Sequence, residues 1–423
     1  MTLEAFSMVL LNKMRKLITI FLILLIIISI GVIAYYILNQ NNISLRSFTD
    51  IFRSTNQIDP QANTNPFPVA PLITQNTQDS TKIDDNNTDP DTQTNPAIHP
   101  TLGQINIAGL FNINLGKGIT TTLVDRSNGN IYTLDDQNNS SRLSYTTLPS
   151  VLKTYLGKSN GINYILIQQL KELDMVNTLG QFKVSSSSEP LGLDLKTLSF
   201  APLAISVSPD NQKIAYLTNE GGEGVLYVSD WSFLKPEKLW TSSLTSWNIS
   251  YPNNNLINIT TRPAYDYLGI SYLLNLKTKQ INMLLNNING LIVSISPEGD
   301  KLIYSKSLLG NFNLYSYNIK TKESRLLEIN TLPDKCTWLD NDVLYCATPK
   351  TIISGRYPDE WYQGKTSFSD NVWRIDLKEN TTLLTHQLKG NYDLINLTVN
   401  EEAGWLYAID KNSGTLQTFN LKP

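Results

Sequence analysis

Ser208-Pro209-Asp210-Asn211-Gln212-Lys213-Ile214-Ala215-Tyr216 runs through a glycine-rich turn into Leu226-Tyr227-Val228-Ser229-Asp230. A second copy lies downstream: Ser296-Pro297-Glu298-Gly299-Asp300-Lys301-Leu302-Ile303-Tyr304 leads through Leu309-Gly310-Asn311 to Leu314-Tyr315-Ser316-Tyr317. In both copies the Ser stands 18 residues before the Leu, and the copies start 88 residues apart, two units of about 44. A period of about 40–45 residues with several short strands per unit is the signature of a β-propeller.

Working outward from the two copies gives a ladder on the aromatic residue of each third strand. Tyr132, Tyr227, Tyr272, Tyr315 and Trp373 occupy it, and the gap between Tyr132 and Tyr227 leaves room for one more unit around Gln181-Phe182-Lys183-Val184. The last unit, Asp393–Val399, Trp405–Asp410 and Thr415–Leu421, has three strands where the others have about four. An N-terminal strand near Ile105–Ile113 is a candidate for the fourth, a closure that would join the chain ends and remove open edges. The expectation is an all-β propeller of about seven four-stranded blades over 105–423, with six or eight blades as alternatives. Turn signals such as Gly129-Asn130, Asn160-Gly161, Gly221-Gly222 and Ser413-Gly414 punctuate it, and no stretch reads as a long amphipathic helix.

The residues before the propeller are of two kinds. Leu17 to Leu38 is a 22-residue uncharged, mostly apolar run, about 33 Å long as a helix, enough to cross a bilayer core of about 30 Å. It is longer than a signal-peptide core and lacks a small-residue cleavage site, so it is expected to be a retained anchor. Lys13, Arg15 and Lys16 flank its N-terminal side, and the other flank has no charge until Arg46. The positive-inside rule then places 1–16 in the cytoplasm and the rest outside, a single-pass arrangement with an extracytoplasmic C-terminal domain. Residues 39–104 are rich in Asn, Gln, Thr, Asp and Pro. Such a segment buries too little to offset chain entropy and is expected to be a disordered linker. Phe48, Ile51 and Phe52 interrupt it at helical spacing, as a short surface helix or a docking segment.

Composition excludes several functions. The net charge of −3 argues against nucleic acid, which needs a basic footprint. Two His in 423 residues leave little for imidazole catalysis or metal binding, and no cofactor is expected.

The Ser-Pro-Asp-x-x-Lys-Ile-Ala-Tyr…Gly…Leu-Tyr-Val-x-Asp phrase resembles the repeats of TolB-like, WD40-like propellers. It is also similar to the propeller domain of the prolyl oligopeptidase and dipeptidyl peptidase IV group. The run from Leu332-Pro333-Asp334-Lys335-Cys336 through Tyr357-Pro358-Asp359-Glu360-Trp361-Tyr362-Gln363-Gly364 looks like a pattern in membrane-anchored bacterial propeller proteins. That resemblance implies extracytoplasmic placement and no particular activity. The peptidases add an α/β-hydrolase domain, for which this chain, ending in its last blade, leaves no room.

No catalytic set emerges. Gly157-Lys158-Ser159-Asn160-Gly161 fits the nucleophile-elbow spacing, but that chemistry needs a strand-to-helix turn with a His and an acid nearby. Ile162 to Ile167 reads as a strand, and the two His are His99 and His386, so a β-turn is expected. The Gly-Lys-Ser also lacks the upstream Gly of a phosphate loop, Leu152 standing there. Asp410-Lys411-Asn412-Ser413-Gly414 and the Asp84-Asp85…Asp89-Asp91 group lack calcium-loop spacing and read as turn and spacer. Cys336 and Cys346 flank Asn341 symmetrically. If Asn341 is a hairpin turn, the two face each other across strands and form a disulfide outside the membrane; two buried thiols are the alternative.

The last candidate is an insertion. Tyr216 to Tyr227 and Tyr304 to Tyr315 are 11 residues each, whereas Tyr345 to Trp373 is 28. The extra residues include Tyr357, Trp361, Tyr362 and Phe368, either anchors for a protein partner or rings that fold back to cap a blade. The leading function is a membrane-tethered protein-binding or scaffold module of the cell envelope, anchored through residues 17–38. The alternative is an envelope hydrolase or lyase with an acidic site at the propeller channel. A sensor ranks third. A convergent cluster of Asp, Glu, Arg or Tyr at the channel mouth would favour the enzyme.

Overall fold

The computed structural model describes residues 105–115, 118–172, 174–184 and 191–422. The expected cytoplasmic segment 1–16, anchor 17–38 and linker 39–104 lie outside them. Among the described residues no helix is long and apolar enough to cross a membrane.

Among the described residues seven antiparallel sheets follow one another, and in each the strands pair in chain order. Blades 1 to 6 are four-stranded and span 107–142, 151–197, 204–242, 247–289, 293–326 and 336–386; blade 7, 394–420, has three strands. Residues from the first strands of blades 3 to 7 line one central cavity of about 710 Å³. The first strand of a blade therefore faces the channel and the last lies at the rim.

The repeated phrase folds the same way twice. Ser208 N–H donates to Lys213 O (2.9 Å), and the Ser208 hydroxyl accepts from Lys213 N–H (2.9 Å). Ser296 and Lys301 repeat both bonds at 3.0 and 3.2 Å. The third residue after each Ser, Asn211 or Gly299, has φ of 60° or 80°, a left-handed conformation that Asn and Gly tolerate best. The aromatic pairs of the phrase are cross-strand neighbours: Tyr216 lies opposite Tyr227 and Tyr304 opposite Tyr315. Their rings stack at 5.5 and 5.1 Å. The elbow-like sequence at Ser159 is a two-residue hairpin turn, Asn160-Gly161, with φ of 50° and 76°, as a type I′ connection requires.

Adjacent blades are joined at the turns between first and second strands. Asn254 Nδ2 donates to Asp210 Oδ2 (2.9 Å), Asn253 Nδ2 to Pro297 O (2.9 Å), and Asn341 Nδ2 to Asp300 Oδ1 (2.9 Å). These bonds span 41 to 44 residues, one repeat each, which accounts for much of the Asn in these turns. Between blades 3 and 4 the core centres on aliphatic side chains beside Trp247 and Tyr251. Ala215, Leu217 and Leu226 of blade 3 pack on Ile257 and Ile259 of blade 4, all buried, and each such Leu or Ile contributes about 1.5–3 kcal/mol.

The ring closes differently from expectation. The N-terminal strand Ile107–Asn114 is the first strand of blade 1, not the fourth of blade 7. Closure is a packing of two complete sheets. Ile105, Ile107 and Leu123 meet Tyr407, Ile409 and Leu416 in one buried cluster. Ile107 N–H donates to Gly414 O (2.8 Å), Asn400 Nδ2 to Thr121 Oγ1 (3.0 Å), and Tyr407 Oη to Asn138 Oδ1 (2.7 Å). Blade 1 uses all four of its own strands, so none is left to pair with blade 7.

Candidate functional site

In blades 3 and 5 the second and third strands meet through the two-residue turns Gly221-Gly222 and Leu309-Gly310. In blade 6 the same connection runs from 350 to 369, between the strands Val343–Pro349 and Asp370–Asp376. Because neighbouring strands are antiparallel, this loop lies on the face where the chain enters each first strand. It contains a cis Tyr357-Pro358 peptide and the one-turn helix Asp359–Tyr362.

Three of the four aromatic candidates are packing residues. Tyr357, Trp361 and Phe368 are buried with Phe312, Leu332 and Ile292 in one cluster. Of the two readings of the insertion, these three rings fit the second: they fold back and pack against blades 5 and 6. Only Tyr362 remains open, at 42%.

A buried charge network holds the loop. Lys335 Nζ, wholly buried, lies 2.8 Å from Asp370 Oδ2 and 2.5 Å from Asp393 Oδ1 and donates to Leu394 O (2.9 Å). Trp361 Nε1–H donates to Asp393 Oδ2 (2.9 Å), which also accepts from Phe368 N–H and Ser367 Oγ–H (3.2 Å each). Lys411 Nζ lies over the Trp361 ring at 4.6 Å and donates to the Trp361 carbonyl. A buried charge is tolerated only when paired and hydrogen-bonded; Lys335 meets that condition through Asp370, Asp393 and the Leu394 carbonyl, and Asp393 ties the group to the insertion through Trp361, Ser367 and Phe368. Asp370 is the exception in detail. Its Oδ1 is buried without a partner, and burial pushes its carboxyl up to about 6 despite Lys335.

Beside this loop, the channel mouth is a cavity of about 670 Å³ lined by Lys153, Gln168, Asn248, Arg262, Asp334 and aliphatic side chains such as Leu203, Ile249 and Val293. Asp334 sits in the 3-10 turn Pro333–Lys335 just ahead of the first strand of blade 6. It accepts a hydrogen bond from Tyr362 Oη. The Asp334 side chain is open to channel solvent yet enclosed by protein around the channel wall. That loss of bulk water raises its carboxyl above the ordinary value, while the Tyr362 hydroxyl, Lys153 and Lys335 pull it down. The Tyr362 phenol is pushed well above its ordinary value by desolvation first, then by the charge of Asp334. It is therefore a donor and not a base near neutral pH. Asp334 was not legible as a site residue in sequence. Its only signal is its place beside Lys335 in the Leu-Pro-Asp-Lys-Cys run.

The two cysteines are joined. Cys336 lies directly opposite Cys346 across the first two strands of blade 6, and a disulfide links them. The turn between them is held by Asp340, whose Oδ1 accepts from Asp342 N–H (2.7 Å) and Val343 N–H (2.8 Å).

No protein-family model matches the chain, and no curated protein matches it. Among solved structures, an oligogalacturonate lyase from Vibrio parahaemolyticus superposes with a TM-score of 0.50 at 10% identity, covering 75% of this chain and 91% of that one. The β-propeller domain of the Trilobed protease from Pyrococcus furiosus gives 0.42 at 11%, covering 63% and 80%. A putative TolB from Agrobacterium tumefaciens gives 0.36 at 12%, covering 52% and 80%. At such identities the likeness is one of fold. It agrees with the β-propeller architecture read from the repeated phrase.

Proposed function

We propose that this chain is a membrane-tethered, extracytoplasmic propeller that binds a protein of the cell envelope at the channel mouth beside the blade 6 insertion. The anchor is the apolar run Leu17–Leu38, and the orientation follows Lys13, Arg15 and Lys16. One observation carries the binding reading. The insertion is locked by a buried network, and the one ring it leaves open, Tyr362, is set against Asp334 at the rim of the cavity. An aromatic with a polar tip on a rigid support makes a good interface anchor.

The enzyme reading has one point in its favour, the acid and phenol at the channel mouth with shifted proton affinities. The phenol, however, donates to the carboxylate. The phenol thereby fixes one oxygen of the carboxylate in a rigid pair, which suits recognition better than proton transfer.

The test is partner capture by the full-length chain from its native envelope, followed by the same capture with Tyr362→Ala and Asp334→Asn. Each variant should weaken binding of the wild-type partner by about tenfold or more, the usual loss for an interface anchor, with an unchanged Tm. Trp361→Ala is the contrast: as packing it should cost about 3–5 kcal/mol of stability. Capture that survives the loss of both Tyr362 and Asp334 rejects the site.

A further inference from the structure

The connections between second and third strands of blades 4, 5 and 6 interlock on the insertion face. Gly310 N–H donates to Tyr265 Oη (3.2 Å), Gly355 N–H to Gly310 O (2.9 Å), and Tyr265 N–H to Asp359 Oδ2 (2.6 Å). Arg356 of the insertion pairs with Asp266 of blade 4 and lies over the Tyr265 ring at 5.4 Å. Three loops are thus fixed as one rigid edge.

That edge carries apolar side chains pointing into solvent. Leu309 is 88% exposed, Tyr267 78% and Ile353 76%, with Leu268 and Leu308 more than half exposed. Soluble domains scatter single exposed apolar residues, but a cluster on interlocked loops marks a contact surface. Leu309 is the most telling. It occupies the first central position of a two-residue hairpin turn with φ of 48°. At the same place in the second-to-third-strand turns of blades 2 and 3 stand the polar Glu172 and Gly221. A left-handed conformation disfavours Leu by roughly 1–2 kcal/mol, and full exposure adds nothing back from burial. The residue worsens both the turn and the surface, so its gain lies outside the free domain.

We propose that this edge docks on a lipid surface, with Leu308, Leu309 and Ile353 entering the acyl boundary and Tyr267 at the headgroup level. Two observations favour lipid over a protein partner. The exposed set is mostly aliphatic, whereas protein hot spots favour Trp, Tyr and Arg and under-represent Leu. The rings that would have served a protein, Tyr357, Trp361 and Phe368, are buried behind the edge. The length of chain preceding the propeller also fits. Residues 39–104 would span roughly 40–50 Å as a flexible linker, enough to hold the domain near the bilayer entered by Leu17–Leu38. This last point rests on the membrane tether proposed above; the aliphatic edge does not.

The chain's two cysteines are disulfide-bonded, so Leu309→Cys introduces the one free thiol for an environment-sensitive fluorophore. The full-length protein is reconstituted into phosphatidylcholine vesicles with and without doxyl-labelled lipid. The label should shift to the blue and be quenched by the doxyl lipid. The same label at Gln212→Cys, an exposed turn on the opposite face, should do neither. Loss of quenching at Ile353→Cys in a chain carrying Leu308→Asp and Leu309→Asp would show that the knobs act together. If the protein floats with vesicles but position 309 is not quenched, docking is overturned while the tether stands. A blue shift without quenching means that protein covers the edge, which also overturns it. Failure to float with vesicles rejects tether and docking together.

Discussion

Asp370 illustrates how a single buried carboxyl sets a pH response. It lies beside Lys335, with Asp393 and Lys411 completing the network, and one of its oxygens has no partner. Burial raises its native proton affinity to about 6, above the value of about 3.9 for an unfolded Asp. Between these values the native state binds the proton and the unfolded state does not, so this residue's contribution to stability is present at pH 4 and lost as pH rises through 6. The gap between the native and unfolded values corresponds to roughly 2–3 kcal/mol. Urea unfolding of wild type and Asp370→Asn at pH 4 and pH 7 checks the sign. The variant should gain stability relative to wild type as the pH goes up. A constant difference across the two pH values would refute the linkage. The Lys335 position is as telling: a cation with no solvent exposure persists because Asp370, Asp393 and the Leu394 carbonyl converge on it.

At the scale of elements, the unit that repeats is the hairpin of second and third strands, and its variations carry what is particular to this chain. Tyr216/Tyr227 and Tyr304/Tyr315 stack across it in blades 3 and 5. In blade 6 the strand that pairs with that hairpin is stapled by Cys336–Cys346. The staple closes a short loop, for which the chain-entropy model gives roughly 2–3 kcal/mol. Replacing both cysteines by Ala, or reducing the wild type, should lower the urea midpoint by a matching amount. An unchanged midpoint after verified reduction would count against it. The staple was readable because Asn341 stands midway between the cysteines in a turn-forming Asp-Asn-Asp, and strand pairing then puts 336 opposite 346. The insertion was readable only in part. Its length and aromatic content stood out, but whether the rings faced solvent depended on partners far away in sequence.

At the scale of the whole molecule, the ring is held by packing between blade 1 and blade 7 without a shared strand. Ile107 is the hinge of that contact, almost wholly buried against Tyr407, Ile409 and Leu416 with its N–H on Gly414 O. Ile107→Ala should cost about 2–5 kcal/mol. It should also speed amide exchange in blades 1 and 7 together while leaving blade 4 protected. Faster exchange in blade 1 alone would mean that closure does not depend on this contact.

The sequence by itself determined the repeat, a count of about seven blades and the turn positions, and it placed the two cysteines for a disulfide, because each of these is written in local spacing. A Gly or Asn at a left-handed position, a Tyr at a fixed offset and two Cys about one turn all act within a few residues of each other. Only the tertiary structure decided which aromatics are anchors and which are core. Trp361 is buried because Lys335, Asp370 and Asp393, drawn from two blades, meet beneath it. Tyr362, the next residue, stays open because Asp334 draws its hydroxyl toward the channel. The mode of closure was likewise settled by the ring as a whole. Whether the first strand completes the last blade or begins its own depends on how many strands blade 1 can pair, a count that no local pattern contains.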